Sequence, residues 1–187
     1  MASPVRELNL ARLLERLSED DGDALEDLFQ QERGPLTRMF YGLCRCSATS
    51  EDLVQGTFLA LWRYRANYRG GKATSYLYRI AINQWRRANA RDRRKKEVFQ
   101  AYAPSREEAV VDPEDPIQRE EAKAAVWRAI DELPSAQRET FVLHRFEGMS
   151  CPQIADMIDK PVKTVESRLR LALEKLTEKL QKRERLS

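Results

Sequence analysis

The stretch SCPQIADMIDKPVKTVESRLRLAL, residues 150–173, predicts two short helices joined by a turn. Ser150 is placed as the N-cap of the first helix, and Pro152 lies in the first turn, where a missing N–H costs little. The run DKPV, residues 159–162, separates the two helices. Apolar residues recur at helical spacing in both, so each helix has an inward side. These inward residues are Ile154, Ala155 and Ile158, then Val165, Leu169, Ala172, Leu173 and Leu176. The pattern indicates a helix-turn-helix.

The outward side of the second helix is polar and mixed in charge. It carries Lys163, Thr164, Glu166, Ser167, Arg170 and Leu171. The second helix of a helix-turn-helix lies in the major groove of DNA, with its N-terminal end inward. A face that binds phosphates alone has no use for Glu166, but a face that reads bases does, because a carboxylate can accept a hydrogen bond from cytosine N4. The alternative is a plain helical hairpin whose charged face is only solvated.

Charge is distributed unevenly along the chain. The 187 residues carry a net charge of only +3. Residues 61–96, however, contain 12 basic and 1 acidic side chains, whereas residues 97–121 contain 2 basic and 8 acidic ones. A basic block of this density is a strong attractor for a polyanion. The sequence therefore predicts a second nucleic-acid-binding segment upstream of the helix-turn-helix.

Helical periodicity recurs along most of the chain, and strand signals are absent from the pattern. Pro104, Pro113 and Pro116 interrupt it within an acidic stretch that reads as a linker. We therefore expect an all-α protein with two small helical domains, residues 1–96 and 119–187, joined by a flexible acidic linker, residues 97–118. Within these domains the pattern also predicts a helical pause at Gly34-Pro35, an N-cap at Thr49 and a buried Phe146.

Several classes of function find no support in the sequence. No apolar stretch is long enough to span a membrane, and the N-terminus lacks a signal pattern, so we expect no membrane insertion and a cytoplasmic location. One histidine and three cysteines make no set of four zinc ligands. We expect no catalytic residue, no metal, no cofactor and no enzymatic activity. For Cys44, Cys46 and Cys151, simple reduced thiols are one interpretation, and a redox or metal role for the Cys44-Arg45-Cys46 segment is the other.

Two blocks of sequence carry a family resemblance. The first is EDLVQGTFLALWRYRANYRGG, residues 51–71, followed by SYLYRIAINQWRRANARDRR, residues 75–94. The second is IDELPSAQRETFVLHRFEGMSCPQIADMIDKPVKTVESRLRLALEKL, residues 130–176. In this order they resemble the second and fourth conserved regions of extracytoplasmic-function (group IV) sigma factors of bacterial RNA polymerase. The acidic linker is also similar, because this group lacks the third domain of larger sigma factors.

The resemblance implies that the helix from Glu51 docks on the clamp helices of the polymerase β′ subunit. Spacing independently places one set of residues on the side opposite the apolar stripe of this helix. The set comprises Asp52, Gln55, Leu59 and Arg63. Members of the family usually have glutamate where this chain has Gly56.

The resemblance also implies that the basic block melts and holds the −10 promoter element. Arginines offer a track for phosphates, aromatic rings offer faces for unstacked bases, and Asn83 matches the asparagine that lines the pocket for a flipped base. The candidates are Asn67, Tyr68, Arg69, Lys72, Tyr76, Arg79, Asn83, Arg86, Arg87 and Arg91. Trp85 is expected in the core. Tyr76 stands where tryptophan is commoner, and the loop over residues 67–72 is about one residue shorter than usual.

In the fourth region, the helix-turn-helix is expected to read the −35 element as duplex. The candidates are His144, Lys163, Thr164, Glu166, Ser167, Arg168 and Arg170. Members often have an arginine in place of His144, although a histidine that is merely exposed is an equal interpretation. Lys163 stands where glycine is usual, Glu166 replaces a basic residue and Leu171 replaces an arginine.

The resemblance implies three partners: the RNA polymerase core, through the β′ clamp helices and the β flap; promoter DNA; and an inhibitory anti-sigma factor. The alternative function is a helix-turn-helix transcription regulator with a helical sensing domain, acting outside the polymerase holoenzyme. That alternative requires neither the basic block nor the docking face on the Glu51 helix. How the two domains are placed in the free protein does not follow from the sequence.

Overall fold

The computed structural model describes residues 4–98 and 126–184, and within these ranges the chain forms α-helices and no strand. The helices are α1 (Pro4–Ser18), α2 (Gly22–Cys44), α3 (Ser47–Arg63), α4 (Ala73–Val98), α5 (residues 126–131), α6 (Ser135–Arg145), α7 (Cys151–Ile158) and α8 (Val162–Glu184). A short 3₁₀ turn, Arg65–Asn67, follows α3. The all-α prediction is confirmed. Most of the predicted linker, and the start of the helix predicted from Arg119, lie outside the described residues.

Helices α1 to α4 enclose one apolar core. Each contributes a stripe of leucines or aromatic residues at helical spacing, and Leu10, Leu28, Phe40, Leu61 and Leu77 are among those almost completely buried. Asp21 begins α2 by accepting hydrogen bonds from the backbone N–H groups of residues 23 and 24, at 3.0 and 3.3 Å. Trp85 is also buried in this core, as expected.

The structure corrects two helix boundaries. Helix α2 continues through Pro35, whereas the sequence predicted a pause at Gly34-Pro35. Leu28 and Leu36 are fully buried on either side of the proline, and their packing outweighs the cost of about 3 kcal/mol that an interior proline carries. Helix α3 begins at Ser47 after Cys46, so Thr49 lies inside its first turn and is not the N-cap.

Helices α5 to α8 form the second half, with the predicted helix-turn-helix in α7 and α8. Ser150 caps α7 in a capping box, in which its hydroxyl accepts from the Gln153 N–H and the Gln153 side chain accepts from the Ser150 N–H. Asp159 ends α7 in the left-handed region, with φ 53°. Val165 and Ala172 of α8 are fully buried, as predicted.

Two apolar side chains predicted to lie inside this half are instead partly exposed. Phe146 is 42% exposed and stacks flat on Trp127, with ring centroids 5.3 Å apart. Leu173 is 49% exposed. Phe146 lies at the C-terminal end of α6, and Leu173 lies between the buried Ala172 and Leu176 on α8. Helical periodicity alone does not distinguish the edge of a buried face from its centre.

The two halves pack against each other. Val142, Leu143, Met149 and Ile154 belong to the same apolar cluster as the core of α1 to α4. Arg138 of α6 donates to the carbonyl oxygen of Leu43 at 3.0 Å. The guanidinium of Arg45 lies over the rings of Tyr41 and Trp127, at 4.4 and 4.2 Å from their centroids. The described residues thus form a closed arrangement in which the helix-turn-helix half rests on α2 and α4.

A buried polar network crosses this junction. Arg6 donates to Glu32 in a bidentate pair at 3.1 and 2.5 Å, and also to the Tyr78 hydroxyl at 3.2 Å. Tyr78 in turn donates to Glu147, in the connection between α6 and α7. Burial raises the pKa of Glu147 above its ordinary value, and this outweighs the opposing effect of the Tyr78 hydrogen bond.

No helix within residues 4–98 and 126–184 combines the length and the apolar character that crossing a membrane requires.

Gly56 lies in the interior of α3, where a glycine costs about 1 kcal/mol relative to alanine. A Cβ at this position would meet only Gln84 Oε1, at 3.8 Å. We therefore expect Gly56→Ala to raise the free energy of unfolding by roughly 0.5–1 kcal/mol, measured by urea denaturation. Gly71→Ala is the control, because Gly71 has φ +97° and the same substitution there should lower stability. A loss of stability on Gly56→Ala would show that α3 requires the glycine.

Candidate nucleic-acid interface

One exposed face of α3 carries the side chains that the sequence assigned to docking. Asp52, Gln55, Leu59 and Arg63 are all exposed and follow each other at spacings of three or four residues. Leu59 is 69% exposed, and it adjoins further apolar side chains. Beside it runs an apolar groove of about 460 Å³ between α2 and α3, lined by Leu25, Phe29, Phe58 and Trp62 as well as Leu59, Gly22 and Gln55. The face can therefore bind a helical or extended partner through an apolar centre with a charged rim.

A second exposed face lies along α4. Arg79, Asn83 and Arg87 are exposed and follow each other at intervals of four residues, with Arg91 one turn further on. Tyr76 is half-buried at the start of the same face, and its hydroxyl donates to the carbonyl oxygen of Tyr64 at 3.0 Å. The structure thus brings an amide, an aromatic ring and several guanidinium groups to one side of one helix.

The loop before α4 contributes to this face in part. Asn67, Arg69 and Lys72 are exposed, and Gly70 and Gly71 take positive φ angles of 82° and 97° that allow the chain to turn. The structure corrects the prediction for Tyr68, which is only 4% exposed. Its ring packs against that of Tyr76 at 5.1 Å and its hydroxyl donates to the Gly71 carbonyl at 3.2 Å, so it supports the loop from within. Burial raises its pKa.

Arg86 is held differently from its neighbours on α4. It is half-buried, and its Nε and Nη2 donate to the two carboxylate oxygens of Glu139 in α6, at 3.0 and 2.6 Å. Arg79 Nη2 donates to the backbone carbonyl of Asp156 in α7 at 3.3 Å, and Lys72 Nζ lies 3.9 Å from the Asp156 carboxylate. The second half of the protein therefore supplies acidic or carbonyl partners to three of the predicted DNA contacts.

A third exposed face belongs to α8. Lys163, Glu166, Ser167 and Arg170 are exposed, Thr164 and Arg168 are half-buried, and Val165 points into the core. Arg170 donates to Glu174 one turn later at 2.6 Å, in an exposed pair that is worth little in water and can rearrange. Glu166 also contributes, after burial, to raising the pKa of the Cys151 thiol.

His144 is exposed at the end of α6, with its Nδ1 2.8 Å from the Met149 carbonyl oxygen. Because a carbonyl oxygen only accepts, Nδ1 carries the proton in this contact. Cys44, Cys46 and Cys151 are each half-buried, and burial raises the pKa of Cys44, whose sulfur lies 3.3 Å from Ser50 Oγ. Within residues 4–98 and 126–184, no group of three acidic, histidine or cysteine side chains is arranged to hold a metal ion.

Sequence reasoning missed Glu139, Glu147 and Asp156, all of which reach across the junction between the halves. Helical spacing places Glu139 on the apolar side of α6 beside Thr140 and Leu143, and all three are buried. A carboxylate on the buried side of a helix signals a buried partner. The partner is Arg86, 53 positions earlier in the chain, and the local sequence pattern does not predict which residue it is.

Models of two conserved regions match the chain. The one described as Sigma-70 region 2 matches residues 28–95, and the one described as Sigma-70, region 4 matches residues 123–176. The RNA polymerase sigma-H factor of Pseudomonas aeruginosa is 30% identical over 181 residues, which cover 91% of this chain and 93% of that protein. The ECF RNA polymerase sigma-E factor of Escherichia coli K12 is 32% identical over 139 residues, or 70% of this chain and 73% of that one.

Two solved structures share the fold. Sigma factor RpoE of Bartonella quintana, solved with the anti-sigma factor NepR, is 21% identical with a TM-score of 0.67, over 83% of this chain and 98% of that one. CnrH, solved with the cytosolic domain of CnrY, is 22% identical with a TM-score of 0.66, over 92% and 97%. With the two region matches and the similarity to relatives over most of the chain, this protein belongs to the extracytoplasmic-function group of the sigma-70 family of RNA polymerase sigma factors.

Proposed function

We propose that this sigma factor directs promoter-specific initiation through three separate surfaces, one for the polymerase and one for each promoter element. Its working units are residues 1–96 and 119–187, joined by the linker 97–118. It supplies binding and positioning and no chemistry of its own. The observation that carries the proposal is the exposed row of Arg79, Asn83 and Arg87 on α4, in the segment that matches region 2. A regulator acting outside the holoenzyme would have no use for this surface.

The docking surface is the exposed face of α3, Asp52, Gln55, Leu59 and Arg63. Its proposed partner is the clamp-helix segment of the polymerase β′ subunit, and the second half would bind the β flap. An apolar groove next to Leu59, on a helix whose exposed face also carries Asp52 and Arg63, suits an amphipathic helix. The −10 surface comprises the exposed α4 row with Asn67, Arg69, Lys72 and Tyr76.

The −35 surface comprises Lys163, Thr164, Glu166, Ser167, Arg168 and Arg170 of α8, with His144 at its side. Lys163 and Thr164 are at the first turn, where backbone N–H groups and a basic side chain suit a phosphate. Glu166, Ser167 and Arg170 are placed to contact base edges. An anti-sigma factor is a further proposed partner, since the Bartonella quintana protein of the same fold was solved with one.

The docking surface is tested by substituting Asp52 and Leu59. We expect Asp52→Arg and Leu59→Ala each to weaken association with purified core polymerase by about tenfold, because they alter the rim and the apolar centre of one patch. Both side chains are exposed, so the fold should be unaffected. Glu19→Arg, at an exposed site just after α1, is the control for Asp52→Arg. Unchanged pull-down of core polymerase by both variants would rule this surface out.

The −10 surface is tested by Arg87→Glu. We expect promoter opening to fall by about tenfold or more, because the positive charge that attracts the DNA strand is replaced by a negative charge that repels it. Promoter opening is measured by the reactivity of unpaired thymines to permanganate. Binding to core polymerase should be preserved. Arg12→Glu, an exposed reversal on α1, serves as the matched variant. Equal loss of polymerase binding and promoter opening would contradict the separation of surfaces.

The −35 surface is tested by Glu166→Arg in transcription reactions with core polymerase and a promoter library. We expect the preferred −35 base at one position to change, by about tenfold to a hundredfold in relative use, because a carboxylate and a guanidinium select different base edges. Glu178→Arg makes the same charge change at an exposed site further along α8 and should leave preference intact. A uniform change of activity across the library would assign Glu166 no role in reading bases.

A further inference from the structure

We propose that Glu7 and Asp20 are positioning residues for the −10 surface. One carboxylate lies in α1 and the other just after it, and each holds one end of residues 65–74, the −10 loop. Together they fix the shape in which the loop meets the DNA strand, and so the base that it selects. This inference rests on the proposed function, in which exposed side chains of the loop contact the −10 element.

The start of α4 has no capping side chain of its own. The helix begins at Ala73, and the residue before it is Lys72, whose ammonium cannot accept a hydrogen bond. The first N–H groups of a helix have no partner within the helix, and a serine, threonine, aspartate or asparagine normally supplies one. The run RGGK, residues 69–72, contains none of these. An acceptor therefore has to come from water or from another part of the fold.

Glu7 supplies this acceptor from α1. Its two carboxylate oxygens accept from the backbone N–H of Thr74 at 3.3 and 3.2 Å, and Oε2 also accepts from the Thr74 hydroxyl. Thr74 is the second residue of α4, where the side chain of an N-cap residue would normally bond. The carboxylate also lies at the positive end of the α4 dipole, where a negative charge is favourable. Glu7 thus caps α4 from 67 positions earlier in the chain.

Asp20 holds the other end of the −10 loop. It follows α1 in the left-handed region, with φ 68°, and its carboxylate accepts from Arg65 Nε in the 3₁₀ turn. Arg65 is already oriented, because its Nη1 donates to the Trp62 carbonyl at 2.8 Å and its Cζ lies 4.2 Å from the centroid of the Trp62 ring. An exposed ion pair usually contributes little, but an oriented guanidinium loses less freedom on pairing.

Between these two ends, the −10 loop depends on outside support for its shape. Burial first, and then the negative charges of Glu15 and Glu7, raise the pKa of Tyr68, so α1 runs close beside the loop. Helix α1 also contacts both the 3₁₀ turn and α4. The loop contains two glycines at positive φ, and glycine restrains the backbone least. The carboxylates at its ends therefore limit the shapes that the loop can take.

The test uses the full chain assembled with core polymerase and a promoter library randomised in the −10 element. The measured quantity is the selectivity ratio, the yield of open promoter with the best −10 base divided by the yield with the second-best base. We expect Glu7→Ala to lower this ratio about fivefold without changing core polymerase binding, because the start of α4 loses its acceptor. Glu7→Gln should lower it by less than about twofold, since an amide oxygen still accepts from the Thr74 N–H.

Two matched controls accompany the test. Glu15→Ala makes the same substitution as Glu7→Ala at an exposed site of α1 and should leave the ratio unchanged. Asp20→Asn keeps a residue that tolerates φ 68° but removes the charge that pairs with Arg65, and should lower the ratio about twofold. Asp159→Asn, the same change at another exposed left-handed aspartate, should not alter it.

Circular dichroism sets a temperature at which each variant is folded. A Glu7→Ala variant that loses thermal stability but keeps the selectivity ratio would give Glu7 only a structural role and overturn the inference. Equal ratios for Glu7→Ala and Glu15→Ala would overturn it as well. If Glu7→Ala does not fold, Asp20→Asn and Asp159→Asn decide: a lower ratio for Asp20→Asn supports the inference, and equal ratios overturn it.

Arg69→Ala separates failure of this inference from failure of the proposed function. If Arg69→Ala reduces promoter opening while the Glu7 and Asp20 variants keep the selectivity ratio, the loop contacts DNA but α1 does not determine its selectivity. Only the inference then fails. If Arg69→Ala also has no effect on promoter opening, the −10 loop does not contact DNA, and the −10 part of the proposed function fails together with the inference.

Discussion

Helix α4 has one side in the apolar core and one side rich in arginine, and the packing of the other helices depends on both. Leu77, Tyr78, Ala81, Ile82 and Trp85 are buried and fix the helix against the core. The remaining side of the same helix is so rich in arginine that it must remain in water or find anions. In this structure Arg86 pairs with the Glu139 carboxylate of the second half, and Arg79 donates to the backbone carbonyl of Asp156. Under the proposed function, the phosphates of promoter DNA meet the same physical requirement.

Much of the fold could be predicted because it depends on local rules. Helical periodicity located the buried stripes, and Ser150 with Pro152 identified the start of α7. Local rules failed where packing between distant segments decided the outcome. Pro35 stays inside α2 because leucines on both sides of it are buried, and Tyr68 is buried because the loop folds back over it. Leu28, Leu36 and Tyr68 all belong to one apolar core that several helices build, and the residues next to each position do not specify that core.

The candidate site was predictable to a similar degree. The exposed positions on α3 and α8 follow from the same spacing that defines their buried stripes, so Leu59 and Glu166 lie where the sequence placed them. The contacts of Arg86 were predicted only in part. Its charge is evident from the sequence, but its pairing with Glu139 depends on how the two halves meet, and that in turn depends on many small apolar contacts such as Val142 against Gly42.

On helix α8, the residues that pack into the core are different from the residues that are exposed. Val165 and Ala172 are fully buried, whereas Glu166, Ser167 and Arg170 are exposed at positions between them. Substitutions at exposed positions usually change stability by less than about 0.5 kcal/mol. Descendants of this chain can therefore exchange these three residues without endangering the fold. Under the proposed role of these residues in reading the −35 element, gene duplication followed by drift at so few positions would give several factors with one architecture and distinct sets of promoters.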